Sequence, residues 1–306
     1  SADYQYLKDV LFYPSTTLQA IRGGIDGQGQ FSSAETTTWL NENTLTYTTT
    51  LKGVHNLSVL AGFTMQETDF ADADILGQNF ANDNLSALDL AADITSAGTV
   101  GTSWGLLSYL GRLNYNYKSK YYLTASVRTD GSSRFGESKQ FGVFPSASVS
   151  WRVSSEPFLE NSNWLYDLKI RASYGVTGNQ DGINNFASRA LWTTGVNYNG
   201  AGGARPARMG NADLGWESTT QLDIGFDASF ADGRINIAFD YFDKRTSDLL
   251  LNSNVPGYSG FTTVTRNIGE VRNSGLEFAW NSMNIRTNSG FSWTTDFNIS
   301  TLKNEI

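Results

Sequence analysis

Apolar and polar residues alternate with a period of two along most of the chain. Leu107, Tyr109, Gly111, Leu113, Tyr115 and Tyr117 stand against Ser108, Leu110, Arg112, Asn114, Asn116 and Lys118. Tyr121, Leu123, Ala125 and Val127 stand against Tyr122, Thr124, Ser126 and Arg128, and Ala147, Val149, Trp151 and Val153 against Ser146, Ser148, Ser150 and Arg152. The same pattern runs through 168–177, 221–230, 235–244 and 291–300, with weaker versions at 39–49, 57–65 and 276–280. Successive side chains of a strand point to opposite faces, so each segment predicts a strand with one apolar and one polar face. Together they predict about ten strands, each near the ~9–11 residues that a tilted membrane strand needs.

The connections add a second regularity. Short turns at Lys52 to His55, Ser119 to Lys120, Asp232 to Gly233 and Thr287 to Ser289 alternate with long polar connections. The long ones run from Asp72 to Ser103, Asp130 to Gln140, Asn179 to Gly215 and Asn252 to Ile268, and 154–166 is intermediate. Every second connection of an antiparallel meander lies at the same end. Short periplasmic turns at one end and long extracellular loops at the other are the layout of an outer-membrane barrel. Tyr121, Tyr122, Trp104 and Trp293 are placed as aromatic girdle residues. A soluble sandwich or propeller also alternates. Strand length, charged residues in mid-strand and the sustained loop alternation favour an incomplete all-β transmembrane barrel.

Composition narrows the function. The 306 residues are 40% hydrophobic and 17% charged, and no run approaches the ~20 apolar residues of a membrane-spanning helix. A net charge of −8 without a Lys/Arg cluster argues against nucleic acid as a partner. The chain has no cysteine and a single histidine, His55 in a short turn, which leaves thiol chemistry, Ser–His–Asp catalysis and multi-histidine metal sites without support. Asp72, Asp74, Asp83 and Asn84 offer oxygen ligands, but their spacing matches no calcium loop and they read as a solvated acidic loop. The glycine-rich run Gly195 to Arg208 lacks the Gly-Lys-Ser/Thr and helix of a phosphate loop and reads as an outer loop. Asp223 with Asp227, and Asp240 with Glu277, fall on the lumen face and keep it wet; nothing in their spacing makes them a glycosidase pair. Five aromatic residues of the long loops, Trp192, Tyr198, Trp216, Tyr258 and Phe261, are the candidate ligand contacts, through stacking on sugar rings or lining a peptide groove. No catalytic residue and no cofactor is expected.

The run YLGRLNYNYKSKYYLTASVRTDGSSRFG, Tyr109 to Gly136, and FGVFPSASVSWRVSSEPF, Phe141 to Phe158, resemble the SusC/RagA family of TonB-linked outer-membrane proteins. WLNENTLTY, LSVLAGFTMQ, LKIRASYGVTGNQ, LGWESTTQLDIGFD and NIGEVRNSGLEFAWNSMNIR agree with that family in order and spacing. The resemblance implies a Gram-negative outer membrane, no enzyme activity, and a 22-stranded barrel around an amino-terminal plug. It further implies drive from the TonB complex through the plug region, a SusD-like surface lipoprotein as lid, and a glycan or peptide as cargo within outer-membrane lipid. A Bacteroidetes-type source follows from the same resemblance. On this reading residues 1–306 are part of a barrel domain, with the plug and further strands outside them and any export leader upstream of Ser1. A passive porin or a soluble β-rich adhesin is the alternative that bare alternation allows.

Overall fold

The computed structural model describes residues 1–159 and 162–306, apart from the side chain of Tyr198. Among the described residues fifteen strands follow one another, and the first seven are β1 (Ala2–Tyr13), β2 (Gln28–Leu51), β3 (His55–Phe80), β4 (Ala91–Tyr117), β5 (Tyr121–Ser132), β6 (Phe141–Arg152) and β7 (Leu165–Asn179). They continue as β8 (Leu191–Tyr198), β9 (Ala201–Arg208), β10 (Glu217–Phe230), β11 (Ile235–Ser247), β12 (Leu250–Asn254), β13 (Thr263–Asn267), β14 (Glu270–Arg286) and β15 (Ser292–Glu305). Eleven form one sheet in the order β1-β2-β3-β4-β5-β6-β7-β10-β11-β14-β15, and β8–β9 and β12–β13 are separate hairpins. Apart from the two hairpins, which are inserted after β7 and β11, the strands of the large sheet lie side by side in chain order, as a meander. Among the described residues no pairing joins β1 to β15, so the sheet is not closed. Among the described residues no helix is long and apolar enough to cross a membrane.

The chain divides into two compact units, Ser1–Asn41 with Thr64–Leu106, and Glu42–Phe63 with Leu107–Ile306. In the first, β1 pairs with β2 from Ala2 opposite Trp39 to Tyr13 opposite Gln28. A short helix, Leu18–Gly23, is capped by the Thr17 side chain, which accepts from the Ala20 amide. Here the structure corrects two expectations. The segment from Asp72 to Ser103 is no long loop: β3 runs on to Phe80 and β4 begins at Ala91. Two of its acids are held within the fold, since Asp74 accepts from Ser32 Oγ at 2.6 Å and Gln30 Nε2 at 2.9 Å, and Asp83 from the Ser15 amide at 2.7 Å. Strand β1 is an addition to the predicted set.

In the second unit the alternation becomes rows that cross the sheet. Tyr121, Trp151, Ile170, Phe226, Phe239, Phe278 and Ile299 are successive partners on neighbouring strands. One residue along, the row reads Tyr122, Ser150, Arg171, Gly225, Asp240, Glu277 and Ser300. The apolar rows are left uncovered, with Val149 53% and Ile224 47% exposed, as a wall facing hydrocarbon requires. The short turns close as expected. Lys52 and Gly53 take left-handed conformations (φ 51° and 71°), and so do Lys118 and Ser119 (φ 54° and 55°). Two successive residues with positive φ match the right-handed twist of the flanking strands. Aromatic rings stack along this end: Tyr117 on Tyr121, Tyr121 on Trp151 and Trp164 on Phe230, with centroids 6.2, 6.4 and 5.8 Å apart. Of the girdle residues expected, Tyr121 joins this band, whereas Trp104 lies inside β4 and Tyr122 is on the polar row.

Candidate functional site: the outer-loop platform and polar wall

The long connections 133–140, 180–216 and 248–269 do not hang free; they knit together at the outer ends of β5 to β14. The reason is local. Phe144 sits on the otherwise polar face of β6, beside Gly142 and Gly178, and a Cβ at either glycine would run into its ring. Trp216, just before β10, lies on Phe144 at 5.3 Å and on Phe135 at 4.9 Å, and its indole N–H donates to the Gln140 carbonyl at 2.7 Å. Phe135, Ala187 and Leu214, 2%, 3% and 0% exposed, form the buried centre, flanked by Ile183 and Leu250.

Polar bonds complete the stitching. The Asn267 amide donates to the Gly215 carbonyl at 2.8 Å and to the Asp248 carbonyl at 3.0 Å, and its oxygen accepts from the Gly215 amide at 2.8 Å. Asn211 reaches the Thr265 carbonyl at 2.9 Å. Glu217 accepts from Asn179 at 3.0 Å and from the Leu250 amide at 3.2 Å. Arg134 donates to the Gln180 carbonyl at 3.4 Å; burial pushes its guanidinium below the ordinary arginine value, while Asp181 at 3.7 Å opposes that shift. Arg208 caps the Phe186 carbonyl and is likewise pushed down by burial.

Below the platform the polar face carries paired charges. Arg171 donates to Asp240 at 2.8 Å and to Asp227 at 3.1 Å, so these lumen-side carboxylates share one guanidinium. Asp223 accepts from Ser173 at 3.2 Å. Towards the short-turn end a concavity of about 420 Å3 has a mixed lining, with Asp227, Asn236 and Asp296 beside Ile237, Trp280 and Phe297. Such a wall offers alternating donors and acceptors to a hydrated cargo or to another protein segment. His55 is engaged with Tyr115, its Nδ1 2.7 Å from the phenol oxygen.

The five aromatic candidates separate. Tyr258 and Trp192 stand free, 93% and 66% exposed, on different loops. Trp216 is built into the platform. Phe261 is half-buried after β12, its amide donating to Ser259 Oγ at 3.3 Å. The Tyr198 side chain lies outside the described residues, although its backbone pairs with Ala201 at the tip of the β8–β9 hairpin. Among the described residues no ring contact joins any two of Trp192, Trp216, Tyr258 and Phe261. Gln140, Phe144 and Asn267 were missed by sequence reasoning; the signal available was an aromatic residue at 144 on a face of serines.

The arrangement of sheet, turns and loops can be set beside known proteins. Residues 1–305 match the family model described as "TonB dependent receptor-like, beta-barrel". The chain is 38% identical over 306 residues to TonB-dependent receptor P39 of Formosa agariphila, covering 99% of the chain and 29% of that protein. It is 37% identical over 209 residues to TonB-dependent receptor SusC of Bacteroides thetaiotaomicron, covering 66% of the chain and 21% of SusC. Among solved structures, the RagAB peptide transporter superimposes with a TM-score of 0.91 at 25% identity, covering 99% of this chain and 34% of that one. The chain thus spans about a third or less of the length of these relatives. With a family match along nearly its whole length, and a meander whose strands carry lipid-side and lumen-side rows, the chain belongs to the TonB-dependent receptor β-barrel family, in its SusC/RagA branch.

Proposed function

We propose that this chain forms part of the wall and outer mouth of a TonB-driven importer of oligosaccharides or peptides in the outer membrane of a Bacteroidetes-type bacterium. The observation that carries the reading is the 0.91 superposition on the RagAB peptide transporter over 99% of the chain. The outer platform supports it, because a loop layer fixed by Trp216 and Asn267 at the outer mouth is suited to holding a lid. In this reading a SusD-like lipoprotein is the lid, and a plug domain supplied outside these residues takes the pull from TonB. Trp192 and Tyr258 are the side chains free to touch cargo or lid; Trp216 and Phe261 contribute by holding the loops, and Tyr198 belongs with the hairpin of Trp192. The wall does no covalent chemistry.

Uptake of labelled oligosaccharide and peptide pools by cells carrying the complete receptor tests this. Deleting the β8–β9 hairpin, or TonB itself, is expected to abolish accumulation while the barrel still reaches the outer membrane. Accumulation that survives loss of TonB would show a passive pore instead.

A further inference from the structure

The short-turn end of the wall is unevenly charged. From Asn43 to Gln66 and from Ile94 to Thr129 the chain holds no carboxylate, and both stretches turn at lysine: Lys52 between β2 and β3, Lys118 and Lys120 between β4 and β5. The two turns are neighbours, since the Lys118 amide donates to the Val54 carbonyl at 2.8 Å. On β2 and β5 the first acids beyond the turns are Glu42 and Asp130. At ~3.4 Å per residue they stand roughly 34 Å away along their strands, well past the ~8 Å over which exposed charges act at physiological salt.

The β6–β7 connection brings Glu156 to this corner, where it meets Lys120 at 3.4 Å and accepts from the Tyr121 hydroxyl and the Trp151 indole. Arg152 and Asp167, on the strands flanking that connection, cancel each other as a pair at 2.8 Å. Glu160 lies outside the described residues; counted in full, it still leaves three lysines against two carboxylates. Among the described residues neither Lys52 nor Lys118, both exposed, has an ion-pair partner. The Lys118 ammonium lies over the Tyr117 ring, 5.3 Å from its centroid, and Tyr117 packs in turn on Tyr121 of the apolar row. That places the free cation on the side of the wall that faces lipid.

Beside this ring band the wall is hollowed. A depression of about 430 Å3 has an apolar lining from Tyr115, Leu123, Val149, Trp151, Ala172 and Ile224 among others. Ala172 accounts for it. The residue stands opposite Val149 on one side and Ile224 on the other, and its single methyl leaves a gap between the two larger side chains.

We propose that this corner binds an anionic glycerophospholipid of the inner leaflet, with its phosphate at Lys52 and Lys118 and one acyl chain in the hollow over Ala172. Lysines beside a membrane attract anionic headgroups, and tyrosine and tryptophan rings sit at headgroup level. Cations and hollow together select the occupant. A free phosphate makes no use of the apolar hollow, and the apolar wall of a second copy makes no use of the ammonium groups. A sugar or peptide travelling through the lumen never meets these side chains, so the site is independent of the cargo.

The test uses the complete receptor in detergent and three probes: phosphatidylglycerol, phosphatidylcholine with the same chains, and glycerol phosphate. The thermal midpoint is followed as each is titrated. Phosphatidylglycerol is expected to raise the midpoint at concentrations about tenfold lower than phosphatidylcholine, the scale set by two lysines near a headgroup. Lys118→Gln should weaken the phosphatidylglycerol response about fivefold and leave that to phosphatidylcholine unchanged. Ala172→Phe, which fills the hollow, should weaken both lipids and keep the preference between them. Arg286→Gln, at a different short turn, should change neither. Equal responses to the two lipids, an unchanged response in Lys118→Gln, or an Arg286→Gln effect as large as that of Lys118→Gln would each overturn the proposal. Glycerol phosphate acting as strongly as the lipid would reduce the site to an anion site and overturn it too. A change in oligomeric mass in Ala172→Phe, with the lipid responses intact, would assign the hollow to a second copy instead.

Discussion

Arg171 on β7 and Asp240 on β11 meet at 2.8 Å although a whole strand lies between them. The residue between them in the row is Gly225, opposite Arg171 on one side and Asp240 on the other. Its missing side chain lets the guanidinium reach across β10, and a Cβ there would collide with the Asp240 carboxylate and crowd the Phe239 carbonyl. Gly225→Val should therefore displace the pair and cost about 1–3 kcal/mol by overpacking. Urea unfolding of the complete barrel in lipid checks this, and a midpoint matching wild type would refute the account.

The row assignment is tested by charge insertion. Val149→Arg or Ile224→Arg places a guanidinium in hydrocarbon and should cost about 2–4 kcal/mol near the midplane. Arginine at Ser148 or Asp223, one residue along and on the polar face, should cost much less. Equal costs on the two faces, measured by folding into vesicles, would contradict the lipid-facing assignment.

At the short-turn end, Glu156 follows β6 and accepts from the Tyr121 hydroxyl at 2.7 Å, Trp151 Nε1 at 3.1 Å and Lys120 Nζ at 3.4 Å. These bonds, Tyr121 first and Trp151 next, hold its carboxyl below the ordinary glutamate range. A folded-state pKa lower than the unfolded one gives stability that is fully present above the unfolded value and lost as pH falls through the folded value. Wild type should therefore be more stable than Glu156→Gln at neutral pH, with the gap closing as the solution is acidified below the ordinary glutamate range. Thermal melts of both proteins across pH 7 to 3 measure it, and a gap that widens in acid would have the wrong sign.

Trp216→Ala should loosen the platform and leave the wall intact. Loss of its packing on Phe135 and Phe144 is expected to cost about 3–5 kcal/mol locally. Protease added to intact cells should then cut 180–216 faster than in wild type, while the turns at Ser119 and Gly233 stay protected in both. Cleavage at those turns in intact cells would invert the topology.

How far the sequence could be read depends on what each residue faces. From β4 onwards one side of each strand of the large sheet meets lipid and the other water, and that contrast writes itself into the chain as alternation; Leu123, Val149 and Ile224 were legible for this reason. β1 mixes its two faces, with Tyr4, Tyr6 and Lys8 on one and Leu7, Asp9 and Leu11 on the other, and it gave no such signal. Asp72 and Asp74 read as loop because acids are rare in strands, and the hydroxyl and amide of Ser32 and Gln30 that satisfy Asp74 lie over forty residues away. The platform was illegible in the same way. Trp216 drew notice as an aromatic loop residue, but its partners at 135, 140 and 144 are brought to it only by the pairing of β6 through β7 with β10.

The rows also act as a parity check during assembly. If β10 slid by a single residue against β7, Asp223, Asp227 and Gln221 would turn into hydrocarbon and Leu222, Ile224 and Phe226 into the wet interior. A slip of two would restore the faces but bring Asp223 or Asp227, in place of Gly225, opposite Arg171, closing the gap through which it reaches Asp240. The polarity of the faces thus rejects odd errors and the vacancy at one glycine rejects the nearest even ones, leaving the native alignment as the arrangement that satisfies both.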